Sequence, residues 1–262
     1  MPLSDALRSR LVKPAFPRAS TYDAQWLLDA WMGPNPLWLA EWLSEVMPIR
    51  AGMRVLDLGC GKAASSIFLA KEFGATVWAA DFWVTPTENF QRIEAAGLAE
   101  RVLPIYAEAH SLPFAEGYFD AIVSFDAYHY FGTDDLYLGS LTKILRPAGR
   151  LGIVVPGLVE EFSDDSPPAW LRPYWEPAFH SFHSPVWWRR HWTRSCQVDV
   201  EVADNPADGW RLWAEWNEVC TEVGAGLENG NAAAREAEML RVDAGRTLAF
   251  TRMVARRREQ TS

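Results

Sequence analysis

Val55-Leu56-Asp57-Leu58-Gly59-Cys60-Gly61-Lys62 is the stretch on which the fold turns. A short apolar run ends in an acid and a Gly-x-Gly turn, and Ala63 to Lys71 follow with apolar residues at helical spacing. That order predicts a strand, a tight turn and a helix. Glycine there lets the backbone take positive φ and lets a ligand approach the main chain with no Cβ in between. The free N–H groups of the new helix face whatever carries negative charge or lone pairs. The corner is one that binds a nucleotide.

Gly59-x-Gly61-x-x-Ala64 also satisfies the dinucleotide fingerprint, so an NAD-dependent oxidoreductase is one reading. Asp57 weighs against it, because an acid at the strand's end repels a pyrophosphate and suits an amino group. Thr76-Val77-Trp78-Ala79-Ala80-Asp81 is a second β-rich run ending in an acid, about 20 residues past Gly61, a spacing at which a carboxylate accepts hydrogen bonds from ribose hydroxyls. Phe82 and Trp83 follow and are placed to border a base. Val102 to Tyr106 reads as a third strand, delivering Ala107-Glu108-Ala109-His110-Ser111-Leu112-Pro113-Phe114.

Together these stretches resemble the class I S-adenosylmethionine-dependent methyltransferases, with their D-x-G-x-G and G-D-A-x-x-L-P-F motifs. The resemblance implies S-adenosyl-L-methionine as cofactor, cradled at its methionine end by Asp57, Gly59, Cys60 and Gly61. It implies Asp81 at the ribose, and Glu108 with the Ala109 N–H at the adenine, Glu108 standing where the family has Asp. Tyr118 to Phe125 resembles the family's F-D-x-V-x-S strand, and Phe125 at its end joins the cofactor set. Arg146 to Leu151 resembles the L-x-P-G-G-x-L turn, with Ala148 in place of a glycine.

Residues 55–155 thus alternate strand and helix, with helices expected over about 86–100 and 133–145 and a fifth strand over 151–155. The expected fold is α/β, a doubly wound, Rossmann-like sheet, seven-stranded as in class I methyltransferases, with a mostly helical, Trp-rich cap. Residues 1–50 read as a helical leader in which Tyr22 or Trp31 could touch the cofactor, 51–157 as the cofactor-binding core, and 158–262 as insertions forming a substrate cap plus the closing strands. Only Trp78 and Trp83 of the 14 Trp fall within 55–155, so the others are expected in leader and cap, where some would roof the site. A loop-rich stretch is expected from Asp164 and Asp165 to Pro185, then a helix to Cys196, a strand over 198–202 and helices over 209–223 and 232–241.

Methyl transfer from a sulfonium is an in-line displacement, so alignment of the acceptor contributes most, roughly 7 to 11 kcal/mol. A general base matters only for a protonated nucleophile. Ligands of open α/β sheets bind beyond the strands' carboxyl ends, which nominates Asp126, Tyr128 and His129 as catalytic candidates, His129 first for its titration near neutrality. His180 and His183 lack a third ligand, and no metal is expected.

The 25 basic and 34 acidic residues leave a formal charge of −9, which speaks against a nucleic-acid partner. Cys60, Cys196 and Cys220 form no C-x-x-C or even framework, and no apolar run reaches the length of a membrane span. A cytoplasmic enzyme is expected, acting on a small-molecule acceptor, aromatic or amine. The alternatives are a cyclopropane-fatty-acid-synthase-like enzyme, against which the lack of a basic membrane-facing patch counts, the NAD-dependent oxidoreductase, and a non-catalytic cofactor-binding subunit.

Overall fold

The computed structural model describes residues 3–164, 166–225 and 231–259. Asp165 and residues 226–230, which fall within the expected loop and helical insertion, lie outside the described residues. A leader of three helices, α1 (Asp5–Leu11), α2 (Ala24–Asp29) and α3 (Pro36–Ser44), precedes the sheet. Then follow β1 (Arg54–Leu58), α4 (Ala64–Phe73), β2 (Thr76–Asp81), α5 (Pro86–Ala95), β3 (Val102–Tyr106), β4 (Phe119–Phe125), α6 (Tyr137–Ile144) and β5 (Leu145–Leu158). The chain closes with α7 (Pro185–Arg194), β6 (Val198–Asp204), α8 (Gly209–Val223), α9 (Ala232–Asp243) and β7 (Leu248–Arg257).

The seven strands form one sheet in the order β3-β2-β1-β4-β5-β7-β6. β1 to β5 are parallel, and β7 runs antiparallel to both β5 and β6. The order reverses between β1 and β4, and there the carboxyl ends of the strands open a crevice. β1 and β4 are buried along nearly their whole length, as a central parallel strand with helices on both faces must be.

Several element ends fall elsewhere than the pattern predicted, each for a local reason. α5 starts on a Thr85–Glu88 capping box and stops at Ala95 rather than 100, because Gly97 turns left-handed at φ 70°. α6 begins at Tyr137 rather than 133, since the Asp134 carboxylate accepts the backbone N–H groups of Leu136 and Tyr137. β5 runs over 14 residues, taking in the expected turn at 146–150, because Leu145 pairs with Phe119 and Arg150 with Arg256. Ala148 takes the left-handed conformation, φ 59°, that the related turn assigns to glycine.

Two apolar clusters cover the two faces. On one face lie α3, α4, α8 and α9, including Trp38, Trp213 and Trp216. On the other, Trp188 and Trp192 of α7 are wholly buried with Tyr128, whose ring centroid lies 5.6 and 5.7 Å from theirs. This corrects the expectation for that helix: its indoles fill the core beneath β5 and β7, as the helix between two strands of an α/β sheet does, and do not roof the crevice. Among the described residues no helix is long and apolar enough to cross a membrane.

Candidate active site

A cavity of about 340 Å³ opens at the carboxyl ends of β1, β2 and β4. Its floor is the turn after β1. Gly59 and Gly61 have φ 74° and 53°, and the Gly59 and Cys60 N–H groups donate to Ala80 O at 2.8 and 3.1 Å, which ties the turn to β2. A Cβ on Gly59 would fall 2.3 Å from the Ala127 Cβ, so glycine is needed for the loop after β4 to close in.

Asp81 is the hub of this floor. Its Oδ2 accepts the Gly61 N–H at 2.8 Å, and its Oδ1 accepts those of Trp83 and Val84 at 2.7 and 2.9 Å. Behind the turn, the buried Asn89 of α5 donates to Gly61 O at 2.9 Å, a brace that one amide in a polar helix did not announce in the sequence. Glu108 also lines the cavity and is paired with the His110 ring at 2.8 Å, which holds its carboxyl below the usual range. Ala109, Phe125 and the exposed Phe82 and Trp83 complete this wall.

The same wall carries Asp126 and Tyr130, with Met32, Gly33, Pro34 and Pro36 of the leader, and the Tyr130 ring meets that of Trp83 at 6.2 Å. Asp126 has φ 54°, a conformation Asp tolerates better than most residues. The turn aims it at Gly33, where an added Cβ would come within 2.1 Å of its Oδ2. Burial, then the charge of Glu236, pushes the Asp126 carboxyl well above its ordinary range.

Several sequence candidates lie elsewhere. Asp57 is fully buried beneath the turn, where its Oδ2 accepts the Ser65 and Ser66 hydroxyls at 2.6 Å each. It braces the start of α4 and stands outside the cavity wall. Burial, only partly opposed by those hydroxyls, raises its carboxyl to about 6. Tyr128 and His129 sit on a 3-10 turn whose curl sends both rings inward. His129 is wholly buried against Tyr130 and Phe182, with neither ring nitrogen hydrogen-bonded, and desolvation pushes it down to about 3. It is uncharged at neutral pH and off the cavity. In the leader, Tyr22 donates to Glu72 Oε1 at 2.9 Å and Trp31 is buried; Ala30 and Met32 on either side of Trp31 line the cavity, and neither aromatic does. Of the metal candidates, His183 is held by Glu161 at 3.0 Å and stacks on Trp187 at 3.7 Å.

The methyltransferase-domain family matches residues 55–149, from β1 through the start of β5. Those residues form a class I methyltransferase domain. Methyltransferase GfsG of Streptomyces halstedii is 34% identical over 127 residues, 47% of this chain and 46% of that protein. Demethylmenaquinone methyltransferase of Mycolicibacterium paratuberculosis is 37% identical over 123 residues, 47% of each. The chain thus spans about half the length of the curated relatives it matches. Haemonchus contortus phosphoethanolamine N-methyltransferase 2, solved in complex with S-adenosyl-L-methionine, shares the fold at a TM-score of 0.70 and 17% identity, covering 98% of this chain and 60% of that one. The methyltransferase domain supplies the cavity's floor, and Met32 to Pro36 supply the wall facing it.

Proposed function

We propose that the protein is an S-adenosyl-L-methionine-dependent methyltransferase acting on a small-molecule acceptor, aromatic or amine, that reaches the cavity beside Asp126 and Tyr130. The observation that carries this is the lining of one cavity: Gly59–Gly61 in its floor, with Asp81, Glu108 and Asp126 on its walls. The donor set suits an elongated, positively charged nucleoside. Two carboxylates await ribose hydroxyls and an exocyclic amine, backbone lies bare between them, and Lys62 is the one lysine or arginine on the lining, too little to favour a pyrophosphate.

In this reading Asp81 accepts the ribose hydroxyls, Glu108 and the Ala109 N–H hold the adenine edge, and Phe82 and Trp83 border its faces. Asp57 acts through α4 and touches no ligand. The cofactor supplies an electrophilic methyl. The chain aligns the acceptor against it and excludes water with the leader, Met32 to Pro36. Asp126 replaces His129 as the group that takes the acceptor's proton, since a carboxyl raised by burial accepts one closer to neutral pH. The three cysteines are free thiols, which suits the cytoplasm.

Thermal unfolding with S-adenosylhomocysteine and with NAD, on wild type and Asp81→Ala, tests the assignment. At 100 times its dissociation constant a ligand adds about 2.7 kcal/mol. S-adenosylhomocysteine is expected to raise the midpoint by several degrees, Asp81→Ala to lose most of the rise, and NAD to have no effect. A rise with NAD alone overturns the assignment.

A further inference from the structure

The loop that follows β3 brings Glu108, Ala109 and His110 to the cavity lining in succession. The Ala107 N–H donates to Asp81 O at 3.1 Å and the Ser111 N–H to Glu108 O at 3.0 Å, so the loop leaves the sheet beside Asp81 and turns back at once. Within that turn both carboxylate oxygens of Glu108 meet His110. Oε2 accepts the His110 backbone N–H and Oε1 is paired with Nδ1 of the ring, each at 2.8 Å. These bonds hold the Glu108 carboxyl below its usual range. An ionised carboxylate only accepts, so Nδ1 is the ring nitrogen that carries the hydrogen.

The His110 ring in turn rests on α6. Tyr137, buried in the first turn of that helix, meets it edge to face at 5.0 Å, and the Tyr137 hydroxyl donates to Ala109 O at 3.2 Å. Glu108 is therefore held by a neighbour that is itself held. A glutamate needs such a hold more than an aspartate does, because its extra methylene adds a rotatable bond that a ligand would otherwise have to freeze. A carboxylate offers about four lone-pair sites, and the His110 contacts occupy one on each oxygen. The sites that remain are presented in a fixed plane at the cavity.

We infer that His110 is the positioning residue of Glu108: it fixes the carboxylate for an exocyclic amine, and so sets a preference for an amino-purine over an oxo-purine. The inference rests on the adenine lying against Glu108 as proposed above. It gives His110, which stands at the first unspecified place of the G-D-A-x-x-L-P-F motif, a part in cofactor selection. Tyr137 serves the same edge from behind, since its hydroxyl fixes the peptide of Ala109.

Calorimetric titration with S-adenosylhomocysteine and with S-inosylhomocysteine, which has a carbonyl oxygen in place of the amine, tests it. Wild type is expected to bind the adenine compound at least about tenfold tighter, the range of a hydrogen bond to a charged group. Glu108 and His110 are both exposed, so His110→Ala is expected to weaken that compound about two- to fivefold, the range of one exposed pair. Affinity for the inosine compound should hold, and the preference should shrink by the same factor. His110→Asn, whose amide nitrogen stands near the place of Nδ1, is expected to keep the preference. In a Glu108→Ala background, where most of the preference is gone, His110→Ala is expected to change nothing further. Equal weakening of both compounds, weakening of neither, failure of His110→Asn to keep the preference, or a His110 effect that survives Glu108→Ala would overturn the positioning role. Equal binding of the two compounds by wild type would overturn it as well, with the cofactor class intact. No binding of S-adenosylhomocysteine by wild type would instead overturn the methyltransferase reading, and this inference with it.

Discussion

At the glycine turn Asp81 accepts three backbone N–H groups, whereas in the loop after β4 the Asp126 carboxylate accepts none among the described residues. The first is built before any ligand arrives, because its acid is part of the turn's own hydrogen bonding. At the second, the donors are left to water or a ligand to supply. In the proposed function, preorganisation on one side and deficit on the other suit a constant cofactor and a variable acceptor.

The contrast is broken most severely at Gly59. Gly59→Ala forces a side chain into a left-handed position and against Ala127, with about 1–3 kcal/mol of backbone strain and about 1–3 kcal/mol of overpacking. Denaturant unfolding should show that loss, and S-adenosylhomocysteine binding should disappear because the loop carrying Asp126 is displaced. Asp126→Asn should separate the two: kcat/KM for an acceptor that turns over falls about 10²- to 10⁴-fold, the range of a lost general base, while the thermal midpoint rises as an unpaired carboxylate is removed.

Asp57 sharpens the comparison through pH. Its folded value, about 6, lies above the 3.8 of an ordinary aspartate, so the folded state holds the proton more tightly. Its stabilising contribution is complete below about pH 4 and is lost as pH rises through 6. Ser65, Ser66, Asp81 and Cys60 are the polar and titratable groups around it. Between pH 4 and pH 7 wild type should lose on the order of 2–3 kcal/mol that Asp57→Asn retains, because each tenfold difference in proton affinity between folded and unfolded chain contributes about 1.4 kcal/mol. The smallest effect is expected at His129. His129→Phe removes two buried, unpartnered nitrogens, so stability should hold or rise by up to about 1 kcal/mol, with kcat/KM near that of wild type; a large fall in kcat/KM would return the histidine to the chemistry.

The sheet was legible because its signals are local. The apolar runs ending at Asp57, Asp81 and Phe125, and the glycines between them, set strand, turn and helix within windows of about ten residues, and Asp81 and Glu108 stand on the cavity as their positions suggested. Legibility stopped where orientation depends on a turn's curl or on another element. Asp57 and Gly59 are two residues apart, yet one faces α4 and the other the cavity. Asp126 and His129 share a loop, and only the 3-10 turn separates the acid on the wall from the ring in the core. Trp188 and Trp216 are both fully buried indoles of the later region; one fills the far face of the sheet and the other holds the leader, a difference decided by which face their helices cover. Glu236 lies in Ala232-Ala233-Ala234-Arg235-Glu236-Ala237, which reads as a solvated helix, yet its carboxylate accepts the Trp213 indole N–H at 3.1 Å and the Asn217 amide at 2.9 Å.

The bond from Trp216 to Gly33 O joins segments 183 residues apart, and it bears on how acceptor preference can be transplanted between relatives. A chimera that imports α8 and α9 alone brings an indole N–H matched to a foreign leader, and one that imports the leader alone strands a carbonyl. Donor and recipient would have to exchange both pieces at once, so the two segments act as a matched pair although 183 residues separate them.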